Sequence, residues 1–260
     1  MKLSVIKIGG NIIDDDAALL AFLKQFAALE GHKILIHGGG KIATALGSKL
    51  GIETRLVDGR RITDKPTLDL VTMVYGGLIG RNIAAGLQAL GCNAISLTGA
   101  DGGSIKATRR PVTKIDYGHV GDLQPDSVNV DTINKLLAAG MTPVFAPLSY
   151  DGYGGLLNTN ADTIAQEVAK ALAKTMHVQL LYCFEKSGVL SNPTDETSVI
   201  KKISQADFQS LKSLGVISGG MIPKIENALA AVNHGVKQVI IGHAANLIEL
   251  IKGESGTWIQ

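Results

Sequence analysis

Short runs that are apolar at almost every position punctuate the chain: LSVIKI (3–8), KILIH (33–37), NAISL (93–97), MTPVFAPL (141–148), VQLLYCF (178–184) and KQVIIG (237–242). They are short and rich in β-branched residues, so each predicts a strand buried on both faces. Between most of them apolar residues recur with the helical period, predicting helices over 17–29, 42–50, 68–90, 130–139, 161–174 and 223–234. Apolar strands alternating with helices imply an α/β fold with a mainly parallel sheet covered on both faces. Three less regular stretches, 53–63, 104–121 and 150–158, carry Gly, Pro and Asp with short alternating runs and predict projecting β-hairpins. A joint between two lobes, if the chain has two, belongs around 174–177, between a helix and the next strand.

Composition narrows this picture without redirecting it. At 260 residues, with 45% hydrophobic and 18% charged, the chain suits one large α/β domain or two small ones. A net charge of +2 gives no electrostatic reason to expect nucleic acid or an anionic membrane as partner. Cys92 and Cys183 lie far apart in apolar runs and read as buried free thiols rather than a disulfide or zinc site. The first run is interrupted at Lys7, Gly9 and Gly10, which leaves no signal-peptide apolar region. No apolar stretch is expected to reach the length of a membrane span, and a cytoplasmic location follows as the expectation.

In open α/β sheets ligands bind beyond the carboxyl ends of the strands. That rule selects the loops at 9–11, 37–40, 98–104, 158–162, 185–188 and 219–220. The glycine turn in ILIHGGGKIA is not a P-loop: Gly40-Lys41 is followed by Ile42, and Leu35 stands where the first glycine should be. A dinucleotide fingerprint can be forced as Gly38-x-Gly40-x-x-Ala43, with Asp58 as the acidic ribose ligand, but it leaves the other glycine turn and the lysines without a role. HExxH, GxSxG and paired CxxC patterns are all missing.

Two tandem-glycine turns remain, and either could be no more than a tight strand-to-helix connection. The first, VIKIGGN, carries Lys7 inside a strand apolar enough to be central, where an ammonium needs an anionic partner. The second leads into a helix whose free N–H groups favour a negative group. Together they suggest two anions facing each other. Asn158, Asn160 and Asp162 alternate at the start of a helix; N-capping explains Asn160 and a favourable first-turn acid explains Asp162, but neither explains Asn158. Lys224 follows Pro223 in a first turn, where a cation opposes the helix dipole unless it faces an anion. Arg61 in DGRRIT offers a fork suited to a carboxylate, or simply a surface charge.

At these residues the chain resembles the amino-acid kinase superfamily, most closely its branch acting on N-acylated glutamate. The blocks IKIGGN, HGGGK, DGRRIT, LTGADGG, GHVGD, LNTNAD and GGMIPK occur in that order with fitting spacing across essentially the whole chain. The resemblance implies a single domain, 1–260, folded as an open three-layer αβα sandwich. Its N-terminal lobe, 1–175, would hold the acyl-amino acid and a homodimer interface; its C-terminal lobe, 176–260, would hold ATP. It implies transfer of the γ-phosphoryl group of Mg²⁺-bound ATP to the side-chain carboxylate of N-acetyl-L-glutamate, a step of arginine biosynthesis. Lys7 and Lys224 would stabilise the moving phosphoryl group and Asp162 would organise them. Gly39, Gly40, Arg61 and Asn158 would contact the acyl-amino acid. Gly10, Glu185, Lys186, Gly188, Val216 and Ser218 would serve the nucleotide. No protein metal ligand is implied; Mg²⁺ would ride on ATP oxygens and water. An ionised carboxylate acceptor needs no general base, so His37 and His119 read as structural.

Phe184 and Glu185 depart from the family's hydroxyl-Asp pair, which leaves the base and ribose contacts open. The chain starts at its first strand, whereas arginine-inhibited relatives carry an extra N-terminal helix, so an arginine-insensitive homodimer is expected. N-succinylglutamate is the alternative acceptor, with Lys65 and Arg81 as cations for its extra carboxylate; each also reads as a surface charge. Aspartokinase, glutamate 5-kinase and UMP kinase are disfavoured by NTNAD. A non-catalytic sensor would be expected to lack one of the lysines, and an NAD-dependent oxidoreductase rests only on the forced glycine match.

Overall fold

The computed structural model describes residues 2–57 and 59–260; Asp58, the ribose ligand of the forced fingerprint, lies outside them. β1 (Lys2–Ile8) leads through the short helix α1 (Gly10–Ile13) into α2 (Asp16–Ala28), and β2 (His32–His37) leads into α3 (Gly40–Lys49). A hairpin of β3 (Leu56–Val57) and β4 (Arg60–Arg61) follows. One rod then runs as α4 (Lys65–Val71), a π-helical stretch (Thr72–Ile79) and α5 (Gly80–Ala89), before β5 (Ala94–Leu97). A second hairpin, β6 (Thr108–Arg109) with β7 (Gly121–Asp122), precedes α6 (Val130–Ala138) and β8 (Thr142–Phe145). A third pairs β9 (Leu148–Tyr150) with β10 (Leu156–Asn158) and enters α7 (Ala161–Ala173). The chain closes with β11 (His177–Phe184), β12 (Lys202–Ile203), α8 (Gln205–Ser213), α9 (Met221–Asn233), β13 (Gln238–His243), α10 (Leu247–Lys252) and β14 (Thr257–Ile259).

Eight strands form one sheet in the order β12-β14-β13-β11-β1-β2-β8-β5, parallel except at β13–β14. The sheet runs unbroken across residues 174–177. Its four strands on one side come from the chain before that connection and its other four from the chain after it. The apolar run 141–148 divides into β8 in the sheet and β9 in a hairpin, because Ala146 and Pro147 turn the chain out of the sheet.

Period-two alternation in β1 builds both faces. Leu3 and Val5 enter a core with α6, α7, α8 and α9, while Ile6 and Ile8 enter a second core with α2, α3, the rod and α10. Lys7 therefore points to the side of Leu3 and Val5, toward α7 and α9. Local chemistry sets the helix starts: Asp15 accepts from Ala17 and Ala18, Asp64 from Thr67, and Asn160 from Thr163. Buried Lys33 closes the end of α2 by donating to the Ala27 and Leu29 carbonyls at 2.8 and 2.7 Å, beside the Phe26 ring.

The rod Lys65–Ala89 is long and apolar enough to cross a membrane by length and composition, contrary to the expectation that no stretch is. Here Leu70, Val71, Val74, Ile79, Ile83 and Leu87 are buried in the second core. Both cysteines are free and buried, and burial pushes the Cys183 thiol up to about 12.

Candidate active site

A cavity of about 740 Å³ opens at the carboxyl ends of the central strands, within the size range of small-molecule sites. Both glycine turns line it: Gly9 and Gly10 after β1, and Gly38 to Gly40 after β2. They are locked to each other and to the sheet, since Gly9 donates to the Cys183 carbonyl at 2.9 Å and Gly38 to the Ile8 carbonyl at 3.2 Å. Gly39 has φ +143°, and a Cβ there would fall 2.3 Å from Ile79 Cδ1. Only glycine fits that turn.

Three residues from distant parts of the sequence meet at one wall. Lys7 Nζ lies 2.8 Å from Asp162 Oδ1, and Lys224 Nζ donates to Asp162 Oδ2 at 2.9 Å. All three side chains are at most 20% exposed. Asp162 sits in the first turn of α7 and Lys224 in the first turn of α9, and the two helices pack together. Burial works to raise the Asp162 carboxyl, but Lys7 and Lys224 outweigh it and hold the group well below the usual carboxylate range. Burial draws the Lys7 ammonium below its ordinary value, and Asp162 works against that. Two cations against one anion leave a positive surplus facing the cavity.

Arg61, from β4, donates to Thr54 Oγ1 at 2.8 Å, to the Gly40 carbonyl at 2.9 Å and to Thr44 Oγ1 at 2.9 Å. Its fork is thus fixed beside the start of α3 as well as facing the cavity. Asn158 lines the cavity from β10 and donates to Thr63 Oγ1 at 3.0 Å, which ties the third hairpin to the residue that follows the first. His37 is fully buried, with Nδ1 2.7 Å from the Gly38 carbonyl. Burial lowers its pKa to about 4, so its ring is neutral at neutral pH. His119 acts through its backbone, donating to the Thr63 carbonyl and accepting from Asn158 N.

Of the residues expected on the nucleotide side, Gly10 and Glu185 line the cavity, as does Phe184. Lys186 instead pairs with exposed Glu196. Gly188 is buried against β14, where a Cβ would fall 2.7 Å from Thr257 Oγ1. Val216 and Ser218 lie in the loop between α8 and α9, off the cavity wall. Lys65 pairs with Asp69 and Arg81 donates to the Ser96 carbonyl, so neither reaches the cavity.

Sequence reasoning missed Tyr75 from the π-helical stretch and the Arg110–Asp122 ion pair of the second hairpin, all of which line the cavity. A switch from α to π winding has no period signature, and a hairpin arginine looks like surface charge until the hairpin folds over. Among the described residues no three His, Cys, Asp or Glu side chains gather as a metal site. Asp162 is engaged by two lysines and Asp122 by Arg110.

Two adjoining glycine turns, paired lysines and a cation-rich cavity at the carboxyl ends of a parallel sheet define a phosphotransferase-type site. Residues 2–243 match the amino acid kinase family, and the chain belongs to it. It is 52% identical to the acetylglutamate kinase of Bacteroides thetaiotaomicron, over 100% of this chain and 98% of that one. Against the acetylglutamate kinase of Cytophaga hutchinsonii it is 55% identical, over 96% and 94%. The crystal structure of smu.665 from Streptococcus mutans UA159 superposes with a TM-score of 0.80 at 32% identity, covering 99% of this chain and 98% of that one.

Proposed function

We propose that this protein transfers the γ-phosphoryl group of ATP to the side-chain carboxylate of N-acetyl-L-glutamate, as the names of its curated relatives suggest. The observation that carries the reading is the Lys7–Asp162–Lys224 cluster, set beside two adjoining glycine turns that line one cavity. A carboxylate oxygen of the acceptor attacks the γ-phosphorus, the bond to the β-phosphate oxygen breaks, and ADP leaves with those electrons. The product is an acyl phosphate. The acceptor is already ionised, so this chain's residues move no proton in the step. Lys7 and Lys224 neutralise charge on the equatorial phosphoryl oxygens, and Asp162 fixes their spacing. Gly39, Gly40, Arg61 and Asn158 hold the acceptor; Gly10, Glu185 and the surrounding loops hold the nucleotide. Mg²⁺ would arrive on the ATP phosphates.

The division of the sheet supports an acceptor lobe over 1–175 and a nucleotide lobe over 176–260. Half-exposed Met73 and Leu78 on the rod support a homodimer through that face. Arg110 favours a second reading, N-succinylglutamate as acceptor: it brings a buried guanidinium nitrogen without a partner to a cavity that Lys65 and Arg81 do not reach. Trapping the acyl phosphate with hydroxylamine, with N-acetylglutamate, N-succinylglutamate, glutamate and aspartate in parallel, tests both. Hydroxamate from the acetyl compound alone supports the first reading, and preference for the succinyl compound supports the second. No hydroxamate from any acid removes the kinase reading and leaves a sensor.

A further inference from the structure

Every carbonyl of the second glycine turn is held. His37 Nδ1 lies 2.7 Å from the Gly38 carbonyl, Ala43 N donates to the Gly39 carbonyl at 3.1 Å, and Arg61 and Thr44 each donate to the Gly40 carbonyl at 2.9 Å. The Gly38 N–H is taken up by the Ile8 carbonyl. The N–H groups of Gly39 and Gly40 are the donors left over, with no protein acceptor among the described residues. Gly40 opens α3, so its N–H is one of the free donors of a helix start. The Gly39 N–H stands outside the helix, and its direction has another origin. A trans peptide unit is planar, with its C=O and the following N–H on opposite edges, and the described residues contain no cis bond. The Gly38 carbonyl turns to the fully buried His37 ring, so the Gly39 N–H points the opposite way, from a residue that lines the cavity.

We infer that His37 is a positioning residue for the acceptor: its bond to the Gly38 carbonyl sets the peptide plane that aims the Gly39 N–H into the cavity. The inference rests on the proposed kinase reading. A carbonyl can only accept, so Nδ1 carries the hydrogen and, in the neutral ring, Nε2 is bare. Nε2 is buried without a partner against Gly80 of the rod, where a Cβ would fall 3.4 Å from Nε2 and 2.5 Å from Ser96 Oγ. An unsatisfied buried nitrogen costs stability that an apolar side chain would not. The imidazole makes one hydrogen bond in return, and that bond goes to the turn. Without it the Gly38–Gly39 peptide would be free to rotate, because glycine on both sides offers little steric resistance. A donor already aimed meets a carboxylate with little ordering left to do, which is how preorganisation improves affinity.

The experiment compares full-length wild type, His37→Asn, His37→Gln and His37→Phe in the hydroxamate assay, varying acceptor and ATP separately, with a melting curve for each. Asn presents an amide N–H near the place of Nδ1, Gln reaches toward the place of Nε2, and Phe fills the site without a donor. His37→Gln and His37→Phe should raise the acceptor KM roughly 5- to 20-fold with kcat and the ATP KM little changed, and His37→Asn should restore most of the loss. A merely structural histidine would instead shift kcat and both KM values together, in step with the melting temperature, and Asn would serve no better than Gln. Equal acceptor KM values in His37→Asn and His37→Gln, or a wild-type value in His37→Phe, overturn this inference and leave the kinase reading standing. If His37→Phe does not fold, the Asn and Gln pair decides. Inactivity of the wild type with every acid overturns the reading itself.

Discussion

Two parts of the cavity's surroundings are built on different physical plans. At the wall formed by Lys7, Asp162 and Lys224 three charged groups are nearly buried and meet through one shared carboxylate, on elements that start at residues 2, 161 and 221. At the loop after β11, Glu185 alone among the charged groups faces the cavity, while Lys186 and Glu196 pair at 41% and 49% exposure. Buried charges must be matched exhaustively or they unfold the site, whereas exposed ones can be exchanged at little cost. The lysine wall is therefore intolerant by construction, and the loop after β11 is free to vary.

The comparison breaks most sharply at the lysines. Lys7→Ala and Lys224→Ala should each lower kcat roughly 10²- to 10³-fold while leaving both KM values within a few-fold, measured by steady-state kinetics. A KM rise with kcat intact would turn them into ground-state binding groups. Asp162→Asn should come next. It leaves two clustered ammonium groups without an anion and should cost about 3–5 kcal/mol in denaturant melts, along with a large fall in kcat. Asp162 titrates below its unfolded value, so its contribution is complete above about pH 4 and is lost as pH falls further; the variant should flatten that acid limb.

Arg61→Ala should act on the acceptor alone, raising its KM roughly 10- to 100-fold with the ATP KM unchanged. If both rise together, the glycine turn itself has moved. His37 sharpens the contrast through pH. Its folded pKa of about 4 lies below its ordinary 6.5, so the unfolded chain binds the extra proton between those values. Stability should fall as pH drops from about 6.5 to about 4, by up to about 1.4 kcal/mol per pH unit. His37→Gln should remove that slope in melts at pH 7, 6 and 5. The smallest effect belongs to the exposed loop: Lys186→Ala should change stability by less than about 0.5 kcal/mol. A tenfold rise in its ATP KM would bring Lys186 into the site.

Much of this was legible in the sequence wherever the signal is local. The six apolar runs became strands, with 141–148 split between β8 and β9, because a strand buried on both faces leaves few polar positions to disguise it. Asn160 caps α7 as its spacing required, and Gly39 occupies a turn that no other residue fits. The three hairpins were visible from their Gly, Pro and Asp content, and Lys7 stood out because an ammonium inside an apolar strand needs a partner. The position of Tyr75 was not legible, because the π turn that rotates it leaves no trace in the hydrophobic period. Nor was Arg110, whose partner Asp122 is twelve residues away across a hairpin.

The sequence by itself determined the strands, the glycine turns and the list of charged residues in want of a partner, because these follow from backbone sterics and from the cost of burying polar groups. Only the tertiary structure decided which charges meet. Asp162 joins Lys7 and Lys224 because strand order puts β1 at the centre of the sheet and helix packing sets α7 against α9. Side-chain exposure, which separates the intolerant wall from the tolerant loop, exists only once those layers have closed.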